Sequence, residues 1–337
     1  MKKIIFILFF LLLIFTGCSS VEIEERNFVS TIGFDKSPLG GYLITLGYIV
    51  PNEENMYNTE TKTINANLST VNDKIISSDK KQMYFGHLKS IILGKSIVED
   101  KKSLEEILLF SSADNDISMD TIILACDGSA EETTKSVCSV NNGMYIWDFY
   151  KNNKNGIYSS FKLTLAEAIK QLDNNGSLII PKILSDENGT KTEGGIIIGN
   201  NFDIMNNDEI QGYMYITENG KGKTETIASG GEINTFSVEK NKTNIKFYKS
   251  YDILCVNINL KIKTKPIKKY TDNKKLEKLL AEQIKIKAES AVKKLKTSNS
   301  DALGLEYMLM MRKNGLYKEF EGENNFKNMQ IKVTVEI

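Results

Sequence analysis

The side chain best placed to do chemistry in this sequence is a thiol. Cys18 stands directly after the small pair Thr16-Gly17, behind a leader in which Lys2 and Lys3 precede an unbroken apolar run from Ile4 to Phe15. A helix of that length reaches about 18 Å, well short of the roughly 30 Å hydrocarbon core, so the run reads as the h-region of a secretory signal peptide and not as a membrane span. A cysteine at such a cleavage site has the pattern of a bacterial lipobox. Its thiol is expected to take a diacylglycerol and to become the new amino terminus once residues 1–17 are removed. Each buried methylene contributes about 0.8 kcal/mol, so two acyl chains hold a protein on a bilayer durably where one does not. The expectation is an exported body, tethered at Cys18 and folded in water from there on.

Other chemistries fail on residue type or spacing. His87 is the single histidine, which leaves no histidine-based metal site and no Ser-His-Asp triad, so it reads as a hydrogen-bonded structural residue leading into a buried strand. Gly222-Lys223-Thr224 ends like a P-loop, but Thr217 stands where the first glycine belongs and Gly230-Gly231 interrupts the helix that should follow. Asp114-Asn115-Asp116 opens like a calcium loop, yet Met119 and Ala125 occupy the positions of the required Gly and Glu, and these carboxylates read as a solvated face. Cys126, Cys138 and Cys255 form no CxxC pair and are expected to be buried free thiols. The 43 basic and 43 acidic side chains cancel, and Arg26 and Arg312 are the only arginines, which argues against a general nucleic-acid binder. No catalytic residue, metal or cofactor is expected.

The elements that carry these residues alternate in kind. A length of 337 residues suggests about two domains of ordinary size. Arg26 to Ile49 reads as strand, turn, strand, and Asn52 to Thr61 as a polar loop. Ile64, Leu68, Val71, Ile75 and Ile76 recur at helical spacing, and His87 to Leu93 reads as a buried strand. Helices are expected at Ser103–Phe110, capped by Ser103 with Glu106 at the capping-box position, at Ser129–Val140, and from Thr164 to Leu172, ended by Asn175-Gly176. Asn141 to Ser160, with Trp147 in its middle, looks like a loop. Strict alternation at Val256, Ile258, Leu260 and Ile262, and again at Ile331, Val333, Val335 and Ile337, predicts strands of a sheet with one wet face. The pattern defines an α/β (α+β) protein with mixed and antiparallel sheets, packed helices and two or three domains. Its expected divisions are a signal peptide at 1–17, an N-terminal α/β domain at 18–185, a polar linker at 186–195 and a C-terminal α/β region at 196–337, open to division into two subdomains.

A long helix is predicted from about Lys274 to Lys296, with Asp272 as N-cap. Leu276, Leu279, Leu280, Ile284, Ala288, Ala291, Val292 and Leu295 draw its apolar stripe, and its other faces are rich in lysine. On a body tethered to a membrane, close lysines gain about 1 kcal/mol each from anionic headgroups. Lys285, Lys287, Lys293 and Lys294 are therefore the candidate contacts with the membrane or an acidic partner.

Several runs, in order, are similar to one family. They are Ile32-Gly33-Phe34-Asp35 before Tyr42-Leu43-Ile44-Thr45, Val50-Pro51-Asn52, Gly86-His87-Leu88-Lys89-Ser90-Ile91-Ile92-Leu93-Gly94, Gly194-Gly195-Ile196-Ile197-Ile198 leading to Gly212, and Asp301-Ala302-Leu303-Gly304-Leu305. With the lipobox cysteine they resemble the Ger(x)C family, the lipoprotein C subunits of nutrient germinant receptors in endospore-forming bacteria. The resemblance implies a non-catalytic α/β body on the outer face of the spore inner membrane, working with two integral membrane subunits, A and B, to trigger germination. The alternative is a lipid-anchored extracytoplasmic protein that captures a small ligand itself, in a cleft near Ser185 to Gly195.

Overall fold

The computed structural model describes residues 25–50, 58–78, 81–141, 146, 148, 150, 161–186, 189–217, 222–229, 231–268, 273–321 and 325–337. The leader with Cys18, Trp147 and the expected cap Asp272 lie outside these residues.

Strands β1 (Arg26–Lys36), β2 (Tyr42–Val50) and β3 (Asn58–Ala66) form an antiparallel meander. Helix α1 (Val71–Ser78) leads to β4 (Gln82–Tyr84) and β5 (Ser90–Leu93), both parallel to β1. The short α2 (Lys95–Val98) and α3 (Lys101–Ala113) precede β6 (Ile122–Ala125), parallel to β5. Then come α4 (Ala130–Asn141) and α5 (Leu165–Asn175). Strand β7 (Leu178–Asp186) lies beside β6 and pairs antiparallel with β8 (Gly189–Ile198), which pairs with β9 (Asp203–Met205). The result is a nine-stranded sheet in the order β3-β2-β1-β5-β6-β7-β8-β9, with β4 also on β1.

The rest of the chain is α6 (Asn207–Ile216), β10 (Thr224–Ser229), β11 (Glu232–Ser250), β12 (Ile253–Pro266), α7 (Asn273–Thr297), α8 (Leu305–Arg312), α9 (Asn314–Glu319), α10 (Asn325–Asn328) and β13 (Gln330–Glu336). Its strands make a four-stranded sheet, β10-β11-β12-β13. The β12–β13 pair is parallel, and α7 lies in the connection that returns the chain to the same end of the sheet. Period two sends Val256, Ile258, Leu260 and Ile262 inward against Leu280, Ile284, Ala288, Ala291 and Leu295 of α7. The opposite face of this sheet is wet, as the alternation predicts.

The expected linker at 186–195 is corrected by the structure. Gly189 to Gly195 belong to β8, in register with β7 from Asp186↔Gly189 to Leu178↔Ile198. Polar composition misled here because this end of the hairpin is only partly covered. The hairpin also ties the two halves together. Ile180, Ile196 and Ile198 sit in the core of the large sheet, whereas Ile179 and Ile197, on the opposite face, pack with α6 and the four-stranded sheet.

Two further expectations shift. Asn58 to Ala66, read partly as loop and partly as helix, is the edge strand β3. The N-cap of α3 is Asp100, and Ser103 is the residue that donates its hydroxyl to the Asp100 carboxylate at 2.6 Å. Lys36 also bonds Asp100 at 2.6 Å, and these hydrogen bonds hold its carboxyl down at about 2. The Thr164 cap is seen as expected: Thr164 and Glu167 form a reciprocal capping box, and Gly176 closes α5 in the left-handed conformation.

Candidate functional site

Two of the runs singled out in the sequence supply buried helix caps, through Asp35 and Asp301. Asp35, at the end of β1, accepts the backbone N–H of Ala130 at 3.0 Å and of Glu131 at 2.9 Å, and the Ser129 hydroxyl at 3.0 Å. It thereby satisfies the first turn of α4 and favours its dipole. Gly94 must be glycine because a Cβ there would collide with the Asp35 carboxylate, and Gly33 because one would collide with Ala130 and Thr134 of α4. Asp301 does the same work for α8, accepting from Leu305 N at 3.0 Å and Glu306 N at 2.8 Å. Burial pushes its carboxyl up to about 7 against these bonds. Gly304, with φ 68°, supplies the left-handed turn between cap and helix.

A second buried cluster surrounds Glu225 on β10. It accepts from Lys287 Nζ at 2.7 Å, Tyr215 Oη at 2.8 Å and Gln283 Nε2 at 3.3 Å. The Lys287 side chain is 12% exposed and the Glu225 side chain 5%. Lys223, the lysine of the P-loop-like run, is also buried and lies 2.8 Å from Met214 Sδ. Burial lowers its ammonium to about 8, with Glu225 opposing that shift and Lys287 adding to it. A groove of about 660 Å³ opens here between β10, α6 and α7. The ions at its floor already satisfy one another, so a charged ligand would have to displace bonds already made.

The four candidate lysines of α7 do not form one face. Lys287 points inward to Glu225 and Gln211, and Lys294 is held by Asp203 of β9 at 2.6 Å. Lys285 lies within reach of Glu282 and Glu289 on its own helix, and Lys293 is exposed beside a groove of about 520 Å³. The inward role of Lys287 was invisible in the sequence because Glu225 lies on another element, and the small Gly212 of α6 lets the two helices approach closely enough to build the cluster. A Cβ at Gly212 would overlap the Lys287 carbonyl.

His87 packs its ring against Phe28 and Tyr84, with centroids at 5.2 Å and 5.9 Å, and stands exposed ahead of β5. Its surroundings are aromatic, which suits packing better than proton transfer. Cys126, Cys138 and Cys255 are free and buried, and burial raises the Cys138 thiol to about 12. The cavity beside the β7–β8 pair holds about 10 Å³, room for one water at most. Among the described residues no group of three or more His, Cys, Asp or Glu could hold a metal ion, and no helix is long and apolar enough to cross a membrane.

The two α/β halves share a hairpin, and the motif carboxylates Asp35 and Asp301 are spent on helix caps. Comparison with known proteins places the chain in a family. Residues 19–184 match the spore germination protein N-terminal domain, and residues 193–337 match the spore germination B3/GerAC-like C-terminal domain. The chain belongs to the Ger(x)C family of spore germination proteins. Spore germination protein A3 of Bacillus subtilis (strain 168) is 24% identical, over 73% of this chain and 69% of that protein. Spore germination protein GerQC of Bacillus cereus is 22% identical, over 98% of this chain and 96% of its own length. The crystal structure of the GerBC protein shares the fold, with TM-score 0.59 and 18% identity over 90% of this chain and 95% of that one.

Proposed function

We propose that this chain is the lipid-anchored, non-catalytic C subunit of a nutrient germinant receptor, held by a diacylglycerol at Cys18 on the outer face of the spore inner membrane. There it assembles with the integral membrane subunits A and B. The observation that carries the reading is the placement of the cysteine: the N-terminal family domain begins at residue 19, directly after Cys18. Seven residue steps separate Cys18 from Glu25, the first described residue, and covalent geometry limits that tether to about 25 Å. An acylated Cys18 thus confines the body to a thin layer above the bilayer. Confinement raises the effective concentration of membrane-embedded partners, so weak contacts suffice for assembly.

Replacing Cys18 by Ala tests this in spores. The variant is expected to leave the membrane fraction and to germinate slowly with nutrients, while non-nutrient triggers act normally. A variant that is demonstrably unanchored yet germinates normally with nutrients would overturn the proposal.

A further inference from the structure

The wet face of the four-stranded sheet is basic, and the register of its strands shows how strongly. Lys240 stands directly opposite Lys263, and Lys242 directly opposite Lys261. Two rows further along, past Asn244 and Asn259, Lys246 and Lys332 flank Asn257 from the two neighbouring strands, and Lys265 lies opposite Ser237 at the other end. All seven lysines are exposed. Like charges placed directly across a strand pair destabilise a sheet, so fold stability alone would not favour this arrangement. Among the described residues two carboxylates answer them: Glu336 lies 3.3 Å from Lys261, and Glu239 lies 3.1 Å from Lys263. Lys240, Lys242, Lys246, Lys265 and Lys332 have no carboxylate in ion-pair range among the described residues.

The hairpin tip at the end of this face is of a different character. Tyr248 and Ile253 are exposed there, and Tyr251 is 93% exposed. Tyr251 also has φ 55°, in a turn position that glycine or asparagine fills more easily. A field of lysines bordered by exposed tyrosines matches the chemistry of a membrane interface, where ammonium groups meet lipid phosphates and aromatic rings sit at headgroup level.

We propose that this outer sheet face docks the body onto an anionic phospholipid surface, with the tip of the β11–β12 hairpin seated among the headgroups. The proposal deepens the reading of the chain as membrane-anchored. It moves the lipid contact from the α7 lysines, two of which are held by buried or half-buried carboxylates, to the opposite face of the sheet.

Lysine footprinting of the full lipoprotein tests it. The protein is reconstituted in vesicles of phosphatidylcholine alone, or of phosphatidylcholine and phosphatidylglycerol in equal parts, acetylated, and read by mass spectrometry. On the anionic vesicles Lys240, Lys242, Lys246, Lys265 and Lys332 are expected to lose reactivity severalfold, and to regain it at high salt as the attraction is screened. Lys293 is expected to react equally on both. The K240Q/K242Q/K246Q variant, changed only on the wet face, is expected to lose the protection of Lys265 and Lys332. Equal reactivity on both vesicles overturns the proposal. So does protection of Lys285 and Lys293 instead, or protection that appears only when other membrane proteins are supplied, which would assign the face to an acidic protein. The mass of the N-terminal peptide in the same spectra reports acylation of Cys18, so a missing anchor and a missing contact are told apart.

Discussion

Replacing Lys287 by Met separates a buried role for this lysine from a surface one. The variant keeps the aliphatic volume of the side chain but removes the cation that neutralises Glu225, whose side chain is 5% exposed. Removing one partner of a buried pair costs about 3–5 kcal/mol, because the remaining charge has lost its water and its counter-ion together. Here the cost should fall near the lower end of that range. Tyr215 and Gln283 still donate to Glu225, and the neighbouring Lys223, whose ammonium is lowered to about 8 mainly by burial and to a lesser degree by Lys287, becomes easier to charge once Lys287 is gone. About 3 kcal/mol is the expected loss, read by urea unfolding at neutral pH with Lys293→Met as the control. The control is an exposed position on the same helix and should change stability by less than about 0.5 kcal/mol. If the two variants were equally stable, the Glu225 cluster would not be the buried ion pair described here, and the inward assignment of Lys287 would fall.

Three other outcomes follow from the caps and the helix contact. Asp35→Ala strips the first turn of α4 of its buried acceptor and should cost about 1–3 kcal/mol in denaturant unfolding, combining a lost cap with an orphaned Ala130 N–H, since Ser129 Oγ still accepts from Glu131; a loss below about 0.5 kcal/mol would contradict the capping role. Asp301 has a folded-state carboxyl raised to about 7, so the native state binds its proton more tightly than the unfolded chain. The stability it contributes is therefore present below about pH 4 and lost as pH rises to about 7, and Asp301→Asn should flatten that fall when unfolding is compared at pH 4 and pH 7. An unchanged pH dependence in the variant would show that Asp301 is not the group responsible. Gly212→Ala forces a Cβ into the Lys287 carbonyl and should destabilise by at least about 2 kcal/mol, with a thermal midpoint matching that of the parent chain as the contradicting result.

What could be read from the sequence was what depends on near neighbours. The Thr164–Glu167 box shows itself because its partners are three residues apart. The alternation of Val256 to Ile262 shows itself because one face of that strand is dry and the other wet. Strand β3 was missed since Asn58 to Ala66 is polar and lies at a sheet edge, where hydrogen bonding to β2 supplies order that hydrophobicity does not. The 186–195 segment was read as a linker because composition reports exposure, not pairing. The candidate surface was hidden for another reason. Lys240 meets Lys263 only after a bulge between Val238 and Lys240 resets the register, and counting along the chain cannot supply that offset. The same blindness grouped the four α7 lysines as candidate contacts, since Glu225 and Asp203, which hold Lys287 and Lys294, come from strands distant in the chain.

The most direct measurement of the central claim is the composition of the complex isolated with a tagged copy of this chain from spore inner membranes. The account predicts a mature chain that begins at an acylated Cys18 and co-purifies with two multi-span membrane proteins. A chain recovered alone, with Cys18 bare, would contradict it.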